Sequence, residues 1–157
     1  MLQMNVTIVA GCECEQHAWV HLRDGTGGRR ARVMIDAAVG RAIVSELRGS
    51  PSPHAEAVDL LGTSLAALGA SAERIELRCA DGALSGVLCL RNANGPASAV
   101  VDPCHALLTA CRMKLPIVME EADILTASQA APPAAFHQFL NSLDLSGLDP
   151  AAEGRQP

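Results

Sequence analysis

The chain has 157 residues, enough for one domain that buries most of its apolar surface without disulfides or metal. Its formal net charge is −5, so no overall basic field draws it to nucleic acid or to an anionic membrane, and only a local patch could. With one Trp, two Phe and no Tyr, it is poorly supplied for base-stacking platforms. No apolar run reaches ~18 residues, so no membrane span is expected. Residues 1–10 lack the charged start and long apolar core of a signal peptide. The six cysteines are therefore expected as reduced thiols in a cytoplasmic protein.

Asn5–Ala10 reads as a first strand and 11–16 as a turn. Ala18–Arg23 alternates, with Trp19 and His21 on one face and Val20 and Leu22 on the other. A glycine-rich turn at 24–28 leads into a third strand, Ala31–Ile35. Asp36 can cap a helix over 37–48 whose inner face is Val39, Ile43 and Leu47, with Gly49 as its stop. After the linker 50–53, a second helix over 54–68 carries Ala57, Leu60, Leu61, Ser64, Leu65 and Leu68 as its stripe. Two strands, 72–78 and 84–90, then pair across Ala80-Asp81-Gly82.

The clearest stretch is 97–121. Ala97–Val101 is a short apolar strand, Asp102 an N-cap and Pro103 the first helical residue, where its missing N–H is not needed. Cys104, Leu107, Leu108, Cys111 and Leu115 make one helical stripe. Pro116 stops the helix, Ile117–Met119 reads as a buried strand, and Glu120-Glu121 starts a short helix. The expected fold is α+β: duplicated three-strand-plus-helix units forming one mixed, curved, barrel-like sheet with packed helices. A faint likeness between Arg41-Ala42-Ile43-Val44 and His105-Ala106-Leu107-Leu108 agrees with duplication. The main domain is placed at 1–127, a linker and short helix with Phe136, Leu140 and Leu143 at 128–148, and a disordered tail at 149–157.

The order of these residues resembles the bifunctional nuclease domain family. The resemblance rests on Ile35, Ala42-Ile43, Leu47 and Gly49, then Asp59-Leu60-Leu61, Leu68-Gly69-Ala70, Glu73-Arg74-Ile75 and Asp81-Gly82. It continues through Pro103, Ala106-Leu107, Pro116-Ile117-Val118 and Glu120-Glu121, and so covers about Met4 to Leu125. It implies an internally duplicated α+β fold, a tendency to form homodimers, and DNase or RNase activity of the kind ascribed to plant members. The departures fall on polar positions. Where the family commonly has Thr-His-Asp, this chain has Ala57-Val58-Asp59, and where it has Arg-Pro-Ser-Asp-Ala, this chain has Asp102-Pro103-Cys104-His105-Ala106.

The catalytic candidates are accordingly Asp59, Asp102, Cys104 and His105. A thiol at the second position of a helix gains from the positive dipole end, which favours thiolate; the plainer expectation for Cys104 is a buried stripe residue. Asp36, Asp59, Asp102, Glu120 and Glu121 could supply a divalent ion such as Mg²⁺, although each also serves as a cap or surface charge. Arg23, Arg29, Arg30 and Arg32 form the basic cluster that could meet DNA or RNA phosphates; a solvated hairpin end is the alternative. Cys12, Cys14 and His17 are zinc-type donors with no second pair, expected mainly as an exposed turn. Three readings follow: a metal-assisted nuclease; a diverged small-molecule enzyme or binding protein using Cys104 and His105; and a non-catalytic dimeric regulatory module.

Overall fold

The computed structural model describes residues 1–13, 15–50, 52–81 and 83–129. The elements in chain order are β1 (Leu2–Gly11), β2 (His17–Asp24), β3 (Arg30–Asp36), α1 (Ala37–Leu47) and α2 (Pro53–Ala67). β4 (Ser71–Ala80), β5 (Ala83–Asn92), β6 (Gly95–Val101), α3 (Pro103–Met113), β7 (Ile117–Met119) and α4 (Glu121–Gln129) follow. The predicted helix and tail beyond residue 130 lie outside the described residues. No described helix is long and apolar enough to cross a membrane.

The described strands form one sheet in the order β3-β2-β1-β7-β4-β5-β6. Every neighbouring pair is antiparallel except β4–β7. The fold is α+β, as expected. The sheet is curved rather than closed: β3 and β6 are its edges, yet α4 packs against both β3 and β4, which stand four places apart. The halves β1-β2-β3-α1 and β4-β5-β6-α3 correspond, with β7 between them. Asp36 and Asp102 cap the two helices with nearly the same backbone angles (φ −60°, ψ 140° and φ −59°, ψ 136°). This correspondence sets Gly40 opposite Ala106, so the likeness seen between 41–44 and 105–108 is out of register by two residues.

Strand alternation explains the two faces. On β2 and β3, Ala18, Val20, Leu22, Ala31, Val33 and Ile35 are buried under the helices, while the intervening residues face outward. A bulge between Val6 and Ile8 turns Ile8 outward, where it is 57% exposed. β1 begins at Leu2, earlier than its own pattern indicates, because Leu2–Met4 pair with Ile117–Met119 of β7. That pairing joins the two ends of the domain.

Helix α3 is the centre of the core: Ala106–Ala110 are all buried, and Cys104 and Cys111 are half-buried. The stripe expected on α2 is rotated. Ala55 and Val58 are buried and Leu61 and Leu65 half-buried, whereas Leu60 is 68% and Leu68 80% exposed. α2 meets its neighbours along one narrow line, which a helix rich in apolar residues on several sides does not specify. Leu47 is likewise 56% exposed, because it sits in the last turn of α1, past the edge of the core.

Candidate functional site

The duplication brings the starts of α1 and α3 together. Asp36 Oδ1 accepts the Ala38 N–H at 2.7 Å, and Asp102 Oδ1 accepts the Cys104 N–H at 2.8 Å. Each helix thus satisfies its own first donors. Cys104 lies within electrostatic reach of both carboxylates and beside the Asp36 backbone. Burial pushes the Cys104 thiol up, and Asp102 and Asp36 push it further, against an opposing backbone contact. This agrees with the plainer expectation of a stripe residue: desolvation and two carboxylates oppose the thiolate that the helix dipole would favour. Burial also raises Asp102, but hydrogen bonds from the Cys104 side chain and from the N–H groups of Cys104 and His105 bring its pKa below the ordinary value. His105 Nδ1 stands 3.7 Å from Asp102 Oδ1, with the two side chains 69% and 58% exposed.

Asp59 is elsewhere. Its carboxylate receives Arg112 Nε at 2.9 Å and Nη2 at 2.7 Å, while Arg112 Nη1 reaches Glu46 at 3.1 Å. The bidentate pair lowers the Asp59 pKa, and Glu46 is only 7% exposed. One guanidinium therefore ties α1, α2 and α3 together. Arg112 is ten residues along α3 from Asp102, which is about 15 Å of helix. A single catalytic group of Asp59, Asp102 and His105 is not what the fold assembles; Asp102, Cys104 and His105 stay together with Asp36, and Asp59 is consumed by an ion pair.

The basic cluster is divided. Arg23 and Arg30 are cross-strand neighbours on β2 and β3, and Arg32, opposite His21, lies 5.5 Å over the Trp19 ring. Arg29 leaves this group and pairs with Glu121 of α4 at 2.5 Å. The outward residues of β3 run Arg30, Arg32, Met34, Asp36, from the arginines to the start of α1. Arg30 and Asp36 are six residues apart on that strand, about 20 Å.

Cys12 donates its backbone N–H to His17 O at 2.9 Å, as a turn would, and Cys14 lies outside the described residues. Among the described residues no three His, Cys, Asp or Glu side chains converge as a metal ion requires. The carboxylates considered from sequence, Asp36, Asp59, Asp102, Glu120 and Glu121, do not form a preassembled divalent-metal centre, and no step is assigned to one.

Residues 20–132 match the family model of the bifunctional nuclease domain. The chain belongs to the bifunctional nuclease domain family. The matched span holds both helix starts, the arginine-bearing turn and all of β4. No curated protein matches the sequence.

Within the bifunctional nuclease domain, sequence reasoning missed one charged centre. Arg74, Glu76 and Arg78 alternate on the outer side of β4, with Ile75 and Leu77 fully buried on the other side. Glu76 is 3% exposed, and each of its oxygens receives one guanidinium side-on: Arg74 Nε at 3.0 Å to Oε1 and Arg78 Nε at 3.2 Å to Oε2. The Cys89 thiol adds a 3.3 Å contact to Oε1. Hydrogen bonds from Arg78 come first in opposing the burial cost, and the Glu76 pKa falls to about 2. The signal was in the sequence as Arg-Ile-Glu-Leu-Arg at strand period. It went unread because charges on an exposed strand face need no special explanation until one of them proves buried.

Proposed function

We propose that this bifunctional nuclease domain cleaves phosphodiester bonds in DNA or RNA, with His105 transferring the proton and Asp102 orienting its ring. The observation that carries the reading is the pairing of His105 with Asp102 at an open helix start, within a chain of this family. An imidazole beside a carboxylate can act as a general acid–base unit, and here the 3.7 Å separation must close to hydrogen-bond distance when substrate is bound. The outward row Arg30, Arg32, Met34, Asp36 on β3 supports a path for a nucleic-acid strand from the cationic turn to that dyad. Trp19 beneath Arg32 offers one surface for a base to stack on.

The test is cleavage of DNA and RNA by tag-free protein in Mg²⁺ or in EDTA, beside His105→Ala and Asp102→Asn. We expect the His105 variant to lose about 100-fold or more. The Arg30→Gln/Arg32→Gln variant should raise KM and leave kcat largely intact. Cleavage that survives His105→Ala at full rate would remove this site assignment.

A second reading, a non-catalytic dimeric regulatory module, is favoured by the ion pair that occupies Asp59. A second copy of the chain is the partner we assign to it, along β6, an edge strand on which Val100 is 78% exposed. Wild-type protein silent on both nucleic acids, and a dimer by light scattering that Val100→Lys dissociates, would favour this reading. The raised thiol pKa of Cys104 weighs against its use as a nucleophile in a small-molecule enzyme.

A further inference from the structure

The outer face of the second half carries a groove of about 240 Å³ beside the Arg74–Glu76–Arg78 centre. Val87, Cys89 and Leu90 of β5 form its apolar part, and Pro96, Ala97 and Ser98 of β6 form its far wall. Glu73 also borders it but is paired with Arg91, so its charge is answered. The first half has no such centre. There the residues corresponding to Arg74, Glu76 and Arg78 are Ile8, Ala10 and Cys12, by the shared pairing register with β2 and β5. The charged trio is a local addition to one half of a duplicated sheet, not a requirement of the fold.

Two guanidiniums converge on one buried carboxylate. Each arginine spends its Nε and one Nη on Glu76, and among the described residues the side-chain hydrogen bonds and ion pairs of Arg74 and Arg78 all go to that residue. A guanidinium carries five N–H donors in a rigid fork, so each retains donors for another acceptor. Their side chains remain 40% and 59% exposed, open to the groove, while Glu76 beneath them is sealed from solvent. Glu73 lies within electrostatic reach of Arg74 and Asp123 of Arg78, so the pull on an anion comes from the aimed N–H donors rather than from a net positive charge. The buried carboxylate therefore fixes the two forks before any ligand arrives, and a ligand need not immobilise two long side chains itself.

We propose that Arg74 and Arg78, held by Glu76, form a binding site for a phosphate-type oxyanion in the groove between β4, β5 and β6. Tetrahedral oxyanions suit paired, bidentate arginine forks, and Ser98 places a hydroxyl on the opposite wall. The site does not rest on His105 or on any nuclease activity. The same chemistry could be presented by a free phosphate compound or by a nucleic-acid backbone, and the experiment separates the two.

The full chain is titrated calorimetrically with inorganic pyrophosphate and, separately, with a short single-stranded oligonucleotide. Saturable pyrophosphate binding is expected, weakened about tenfold or more by Arg74→Gln or by Arg78→Gln and unchanged by Arg48→Gln. Because either variant could unsettle Glu76, wild-type protein is also treated with phenylglyoxal and the modified arginines mapped. Pyrophosphate should shield Arg74 and Arg78 and leave Arg41 and Arg48 reactive. Shielding by the oligonucleotide but not by pyrophosphate assigns the site to the backbone of a nucleic acid. No shielding by either ligand, or equal shielding of every arginine, overturns the proposal. Loss of cleavage in His105→Ala with pyrophosphate binding retained would leave this site standing on its own.

Discussion

Ala106 of α3 rests directly on Gly86 of β5: a Cβ at Gly86 would lie 2.5 Å from the Ala106 Cβ and 3.2 Å from Val101 Cγ2. In the other half the same contact is made with its members exchanged. Gly40 of α1 faces Ala18 of β2, where a Cβ would meet the Ala18 Cβ at 2.7 Å. Both helices reach the sheet closely because one partner of each pair lacks a Cβ, and it does not matter which. Gly86→Ala is expected to destabilise by roughly 1–3 kcal/mol through overpacking. The double variant Gly86→Ala/Ala106→Gly, which copies the first half, should recover part of that loss; a helical glycine still costs about 1 kcal/mol. Urea unfolding midpoints check both, and a Gly86→Ala midpoint equal to wild type would refute the close approach.

Glu76 makes acid stability a local matter. Its folded pKa, about 2, lies below the ordinary carboxylate value, so the stabilisation is fully present above the unfolded value and is lost as pH falls toward 2. A displacement of that size corresponds to roughly 3 kcal/mol for this buried group. Glu76→Gln should be less stable at neutral pH and should lose the steepest part of the wild-type decline between about pH 4.5 and 2. Thermal unfolding across that range decides it; parallel profiles would mean that Glu76 is not the group responsible.

Arg112 is expected to matter more to the fold than its half-exposed position implies. Removing it strands Glu46, whose side chain is 7% exposed and whose Oε1 already has no hydrogen-bond partner among the described residues. Arg112→Met should therefore lower Tm by several degrees, and Asp59→Asn by less than half as much, since Asp59 can turn to water. Equal effects would show that the tie between α1 and α3 contributes nothing beyond the surface pair.

Cys104 should react slowly at neutral pH. Its thiol is raised by burial and by its carboxylate neighbours, and Cys111, more deeply placed, is pushed up to about 11 by burial. Iodoacetamide labelling mapped by peptide should find both largely unmodified at pH 7, with rates rising into the alkaline range. Asp102→Asn, which keeps a capping oxygen while removing a charge, should shift the Cys104 profile to lower pH. Rapid neutral labelling of Cys104 would restore the thiolate that the helix dipole alone led one to expect.

Much of the chain was legible in advance. Asp102 and Pro103 open α3 where their chemistry says they should, and Asp36 caps α1 for the same reason; α3 ends at Met113 with Lys114 left-handed, so Leu115, expected in its stripe, lies past the helix. These are local preferences, set by a residue's own backbone and its nearest neighbours. The inner faces of β2 and β3 were legible too, because strict alternation admits only one burial pattern. The buried line of α2 was not: Leu60 and Leu65 look alike in the sequence, and only the positions of α1, α3 and β4 decide which of them faces inward.

The polar residues divide the same way. The sequence determined by itself that Asp102, Cys104 and His105 would share a helix start, because residues within four consecutive positions cannot be far apart. It could not determine that Asp36 would join them, that Asp59 would be held by Arg112, or that Glu76 would be sealed beneath two arginines. Each of those depends on elements brought together across the fold and on the loss of water between them. A carboxylate's chemistry follows from what replaces its hydration, and only the tertiary structure supplies the replacement.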